Sequence, residues 1–104
     1  MKNMIDEVIK FRDDRDWKQF HKPENLAKSI VLESAELLEH FQWDNSYELE
    51  EVKEELADVM AYCILMADVL KVDIEDIVIS KMKKNSIKYP VDKSKGKSDK
   101  YNKL

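Results

Sequence analysis

Between Pro23 and Pro90 the chain contains neither glycine nor proline, and no other feature restricts its fold as strongly. Proline interrupts backbone hydrogen bonding and glycine marks tight turns, so a stretch lacking both favours long helices over a sheet. The apolar spacing agrees. Met4, Ile5, Val8, Ile9 and Phe11 form one stripe at helical period over Lys2 to Asp14. "DDRDWKQFHK" reads as an irregular, charged connection, after which Pro23 suits the first turn of a helix running to about Phe41. "WDNS" reads as a short loop, with Asn45 or Ser46 as N-cap for a third helix from Tyr47 to about Leu70. "KVD" breaks that helix, and Asp73 with Asp76 caps a fourth that presents Ile74, Ile77, Val78, Met82 and Tyr89 and stops at Pro90. The fold class expected is all-α, a four- to five-helix bundle. Residues 1–91 form the helical domain, and residues 92–104 form a Lys-rich, disordered tail.

Within the second and third helices, acids fall where the pattern asks for apolar residues. Stepping about 100° per residue from Ile30, Leu37, Phe41, Leu38, Val31 and Ala35 fill one broad apolar arc. Leu32 and Trp43 lie beyond it, and Glu33 and Glu36 occupy the gap between. On the third helix Glu55 and Asp58 share a side with Tyr62, Leu65 and Val69. A single Glu-x-x-Glu on a helix is common and usually solvated. Two such pairs, each flanked by apolar positions, are a different matter, because ionised carboxylates are expensive to bury without cations. Four converging carboxylates offer hard oxygen ligands, which suit Mg²⁺, or Mn²⁺ in its place, better than Zn²⁺. A ferritin-like di-iron site wants Glu-x-x-His pairs, and neither His21 nor His40 follows a Glu by three positions. Glu39, Glu48, Glu50, Glu51 and Glu54 read as a wet helix face.

Charge narrows the partners. The net charge is −4, but residues 92–104 hold five Lys and two Asp, which leaves −7 on the rest. So acidic a body is a poor surface for polymeric nucleic acid, and phosphates would need a mediating cation. The longest nearly uncharged run, "LADVMAYCILMADVL", is too short and too acidic to span a bilayer. "MKNMIDEVIK" carries charges every few residues and no apolar core, which argues against an export signal. One cysteine, Cys63, forms no intrachain disulfide, and a reducing cytoplasm is the expected compartment.

Glu33-Ser-Ala-Glu36 and Glu55-Leu-Ala-Asp58 resemble the E-x-x-E…E-x-x-D signature of the MazG-like all-α nucleoside triphosphate pyrophosphohydrolases. "RDWKQFHKPENLAKSIVLESAELLEHFQW", "EELADVMAYCILMA" and "VDIEDIVISKMKKNSIKYP" extend the resemblance toward the dCTP pyrophosphatase branch, over roughly residues 12–90. The resemblance implies Mg²⁺-dependent hydrolysis of a (deoxy)nucleoside triphosphate to the monophosphate and pyrophosphate, with a dCTP-like pyrimidine substrate and a role in nucleotide pool sanitation. Glu33, Glu36, Glu55 and Asp58 would hold the metal, and a water held by metal or carboxylate would attack the α-phosphorus. Lys81, Asn85 and Tyr89, four residues apart on the fourth helix, would contact phosphate and sugar. Trp17, His21, Trp43 and Tyr62 would line the base pocket, although His21 could equally cap the helix that starts at Pro23. Val8 stands where some members carry a base-contacting His.

The third helix is apolar on nearly every side, more than its neighbours in a chain of this length can cover, so self-association is expected. The resemblance implies a dimer or a tetramer, and a homotetramer built as a dimer of dimers is the form expected here. Two other function classes fit the same residues: a nucleotide-binding regulatory module with little hydrolysis, and a helical interaction module whose acids are surface decoration. The intact acid quartet favours the enzyme.

Overall fold

A computed structural model describes residues 1–43 and 46–103. Five α-helices run in the order α1 (Lys2–Asp14), α2 (Pro23–Glu39), α3 (Leu49–Val69), α4 (Ile74–Lys88) and α5 (Val91–Ser94). Short 3₁₀ turns occupy Lys18–Phe20 and Tyr101–Lys103. No strand occurs among the described residues, so the all-α class holds. None of the helices is long and apolar enough to cross a membrane.

The chain divides into two compact units, Met1–Val72 and Asp73–Leu104. In the first, α3 is the hub and packs against both α1 and α2. Its buried residues are Leu26 from α2, Ile64, Leu65 and Ala67 from α3, and Arg12 from α1. Leu26 and Ile64 are each only 1% exposed and anchor this core. It is small, and one chain leaves much apolar surface uncovered. Val31, Leu32 and Leu38 of α2, and Leu49 and Leu56 of α3, are all more than half exposed. The apolar surface that α3 is expected to carry beyond what its neighbours can cover is thus present in one chain.

Helices here end without glycine. After α1, Trp17 N–H donates to Arg12 O and Asp16 N–H to Asp13 O. After α3, Val72 N–H donates to Ala67 O and Lys71 N–H to Asp68 O. Both are Schellman caps, which need a left-handed residue just past the helix. Asp16 (φ 54°) and Lys71 (φ 58°) fill those positions, while the chain's one glycine, Gly96 (φ 79°), lies elsewhere. A Schellman cap is commonly sealed by an apolar contact from the residue beyond it to the last turn. The rings of Trp17 and Phe11 supply it, edge to face with centroids 5.7 Å apart. The Arg15 guanidinium sits 3.7 Å above the Phe11 ring.

α2 starts at Pro23, as the fixed φ of proline favours. Between α2 and α3, Asn45 lies outside the described residues, and Ser46 is not the cap expected of it. Instead Glu48, extended in its own backbone, is the N-cap of α3, and its side chain makes no capping bond. Tyr47 is thereby free of the helix, and its ring packs on Phe41 at 5.0 Å. In the second unit, the Asp73 carboxylate accepts the Asp76 backbone N–H at 2.9 Å, so the expected cap on α4 is present. α4 gives way at Tyr89 to Pro90. Val91–Ser94 and Tyr101–Lys103 form single helical turns within the Lys-rich segment.

Candidate functional site

Glu33 reaches out from the middle of α2, and Glu55 and Asp58 from the first half of α3. Because α2 and α3 pack together, one carboxylate oxygen from each of the three lies within 4.8 Å of the others. Glu33 Oε2 and Glu55 Oε2 are buried without a hydrogen-bond partner. A buried carboxylate oxygen with no donor is a costly arrangement, and each such atom calls for an explanation.

Electrostatics point the same way. The Glu33 carboxyl is pushed up to about 7 by burial, by a hydrogen bond shared with Glu36, and by the charges of Glu36 and Asp58. Burial, followed by the Glu36 charge, also raises Glu55. Glu36 thus stands beside the trio and adds to its field, but its side chain is exposed and lies outside the closest set. Without a cation the cluster resists ionisation; a divalent ion would relieve both the repulsion and the two orphaned oxygens. All-oxygen ligands of this density fit a hard cation.

Asp58 also opens onto a cleft of ≈ 440 Å³ between α1 and α3. That is within the size range of small-molecule sites, roughly 300–1,000 Å³. Its walls are mostly apolar and aromatic: Val8 and Phe11 of α1, Trp17, and Ala61, Tyr62 and Leu65 of α3. Glu7, Arg12 and His21 complete the lining. Trp17 reaches the wall because the glycine-free cap of α1 turns the chain back onto Phe11.

Arg12 is almost fully buried, and it donates through Nε to Asp13 at 2.8 Å and through Nη1 to Asp68 at 2.6 Å. Burial disfavours its charge, but the hydrogen bonds to Asp13 and Asp68 outweigh that and raise its pKa. His21 has a buried Nδ1 without a partner. Burial, then the nearby Arg12 charge, lowers its pKa and keeps the ring neutral at physiological pH. His21 does not cap α2, whose N-cap is Lys22.

Of the residues the sequence singles out, the first unit brings together Glu33, Glu55 and Asp58, with Glu36 beside them. It gathers Trp17, His21 and Tyr62 on the cleft. Trp43 is not brought there. It is 86% exposed, because α2 ends at Glu39 and the chain has left the helix before reaching it. Lys81, Asn85 and Tyr89 belong to the second unit, the first two one turn apart on α4 and Tyr89 at its C-cap. Arg12, Glu7, Phe11 and Leu65 join the cleft without having been marked by sequence. The only available signal for Arg12 was a positive charge set against the apolar stripe of α1.

Comparison with known proteins gives a consistent set of matches. Residues 28–104 match the model of the MazG-like family. The chain is 40% identical to mouse dCTP pyrophosphatase 1 over 90% of its own length and 61% of that protein's. For the human dCTP pyrophosphatase 1 the figures are 38%, 90% and 61%. It therefore spans about 61% of the length of these curated relatives. A solved pyrophosphatase structure from Archaeoglobus fulgidus superposes with a TM-score of 0.76 at 43% identity, covering 86% of this chain and 92% of that one.

Proposed function

The chain belongs to the MazG-like family, and from that premise we propose that it is a divalent-metal-dependent nucleoside triphosphate pyrophosphohydrolase. It converts a (deoxy)nucleoside triphosphate and water to the monophosphate and pyrophosphate. The substrate is a pyrimidine deoxynucleotide resembling dCTP, and the role is pool sanitation; the names of the mouse and human relatives support that choice. One observation carries the reading. Glu33, Glu55 and Asp58 converge with two orphaned buried oxygens, and Asp58 borders an aromatic cleft of nucleoside size.

Glu33, Glu36, Glu55 and Asp58 would hold the cation, Mg²⁺ or Mn²⁺. Such a cation supplies Lewis-acid polarisation of phosphoryl oxygens and neutralises charge that the acidic body would otherwise repel. The remaining work falls to the protein's own groups. Trp17, with Phe11 behind it, and Tyr62 hold the base by stacking and exclude water from the cleft. Asp58, shared by cleft and acid cluster, fixes the distance from base to triphosphate. Lys81, Asn85 and Tyr89, on the second unit, are the residues that the family resemblance offers for phosphate and sugar contacts. Trp43 contributes to the base pocket only if another copy of the chain brings it there.

A homo-oligomer, with tetramer as the form we infer, accounts for the apolar surface that one chain leaves exposed on α2 and α3. A lone cysteine suits a cytoplasmic location. The reading is tested by incubating the protein with each canonical (d)NTP, with and without Mg²⁺, and scoring pyrophosphate. Metal-dependent release, strongest with dCTP, is expected. Release of orthophosphate instead, or no release from any triphosphate, would overturn it.

A further inference from the structure

Arg12 is the buried charged side chain of the first unit, and the proposed chemistry leaves it unused. Its guanidinium is buried beneath the cleft, with Nε committed to Asp13 and Nη1 to Asp68. The Asp68 bond ties α1 to α3, and the two bonds together hold the planar group in one orientation. No other hydrogen bond from that group occurs among the described residues, which leaves Nη2 uncommitted on a residue that lines the cleft. A buried arginine pinned at two points has lost its rotamer freedom in advance, so a ligand that uses the third nitrogen forfeits little entropy. The second polar point in the same cleft is His21 Nδ1, buried and unpartnered. An orphaned acceptor costs less than an orphaned N–H, so the tautomer with its proton on Nε2 is favoured, and Nδ1 accepts. Around them the walls are aromatic and aliphatic, from Phe11, Trp17, Tyr62 and Leu65.

We propose that Arg12 determines base specificity, its Nη2 donating to a carbonyl oxygen of the substrate's nucleobase while His21 Nδ1 accepts from an N–H on the same base. The proposal rests on the nucleotide reading above and deepens it. A guanidinium only donates, so it requires an acceptor that protrudes from the ring. Cytosine, uracil, thymine and guanine each carry such a carbonyl; adenine carries none. A buried donor left unpaired by the wrong ligand is the strongest kind of discrimination a cleft can build. The cleft therefore selects against adenine on chemistry, since adenine offers no carbonyl to Nη2.

Pyrophosphate release from dCTP, dTTP, dUTP, dGTP and dATP by the unmodified protein provides the first test. The proposal expects kcat/KM for at least one carbonyl-bearing base to exceed that for dATP by about 10- to 100-fold, the range of a charge-assisted hydrogen bond. Arg12→Lys provides the second. Lysine can keep the ion pair with Asp68 but has no pinned nitrogen to spare, so KM should rise about 10-fold or more for the carbonyl-bearing substrates and stay put for dATP. A merely structural role would weaken all five alike, and that result would overturn the proposal. So would a wild-type enzyme that cleaves dATP as well as the others. If no triphosphate is cleaved, the pyrophosphohydrolase reading fails, and calorimetry with dCMP, dTMP, dGMP and dAMP still decides this one. A carbonyl-dependent preference supports it, and equal binding or none overturns it.

Discussion

The acid cluster and the aromatic cleft meet at Asp58 but were built on opposite terms. In the cluster, like charges are crowded until Glu33 holds its proton up to about 7, and two oxygens go without partners. In the cleft, the buried charge of Arg12 is matched by Asp13 and Asp68, and the rings of Phe11 and Trp17 brace one another. One region stores unfavourable electrostatics that a bound proton or a cation relieves; the other is satisfied except where a ligand would touch it. The lesson is that a binding site for a charged ion is marked by its deficits, and a site for an apolar ring by its walls.

Neutralising an acid breaks this contrast most sharply. Asp58→Asn should lower kcat/KM by at least about 100-fold, the upper end of what losing even an outer-shell partner of a metal costs. Thermal melting of the metal-free variant should be unchanged or higher, because repulsion is relieved. A coupled loss of activity and stability would mean that Asp58 is a structural residue. On the cleft side, Trp17→Ala should raise KM by about 10- to 100-fold, the equivalent of one base–aromatic stack, with kcat changed far less. A kcat loss with constant KM would place Trp17 with the acid chemistry instead.

Titration sharpens the comparison further. The folded-state pKa of Glu33 lies above its unfolded value, so the native state binds its proton more tightly and stability falls as pH rises from about 4.5 to about 7. Metal-free protein should therefore lose melting temperature across that window, by less in Glu33→Gln, where the upward shift of Glu55 remains. Mg²⁺ should restore the loss at pH 7.5 and do little at pH 5. The smallest effect is expected outside both regions. Lys71→Gly relieves a left-handed lysine in the cap of α3 and should stabilise by about 0.5–1 kcal/mol, read as a shift of the denaturation midpoint.

How far the sequence speaks differs between the two regions for a physical reason. Glu33, Glu36, Glu55 and Asp58 break a helical apolar pattern, and a broken pattern shows in one dimension. The helices themselves are legible because their period survives between Pro23 and Pro90. Val8 and Phe11 line a cleft, yet their spacing reads as core, and only the resemblance marks Val8. Arg12 owes its burial to Asp68, 56 positions away, which no local spacing announces. Trp43 lies in the loop expected after α2, and only the resemblance marks it for the base pocket; local spacing says nothing of where a loop residue ends up, and here it is exposed. α1 and α3 end where the sequence puts them, within a residue. The left-handed cap geometry at Asp16 and Lys71 is not legible, since the position that glycine usually advertises is here taken by an aspartate and a lysine.

Manganese provides the most direct measurement of the central claim, since the free ion has a strong paramagnetic resonance signal that disappears on binding. Titrating the protein with Mn²⁺ should remove that signal in wild type, with Mg²⁺ competing for the same site. Glu55→Gln and Asp58→Asn should each return it. If wild type leaves the free-ion signal intact, or if both variants bind as well as wild type, then Glu33, Glu55 and Asp58 do not form a divalent-cation site.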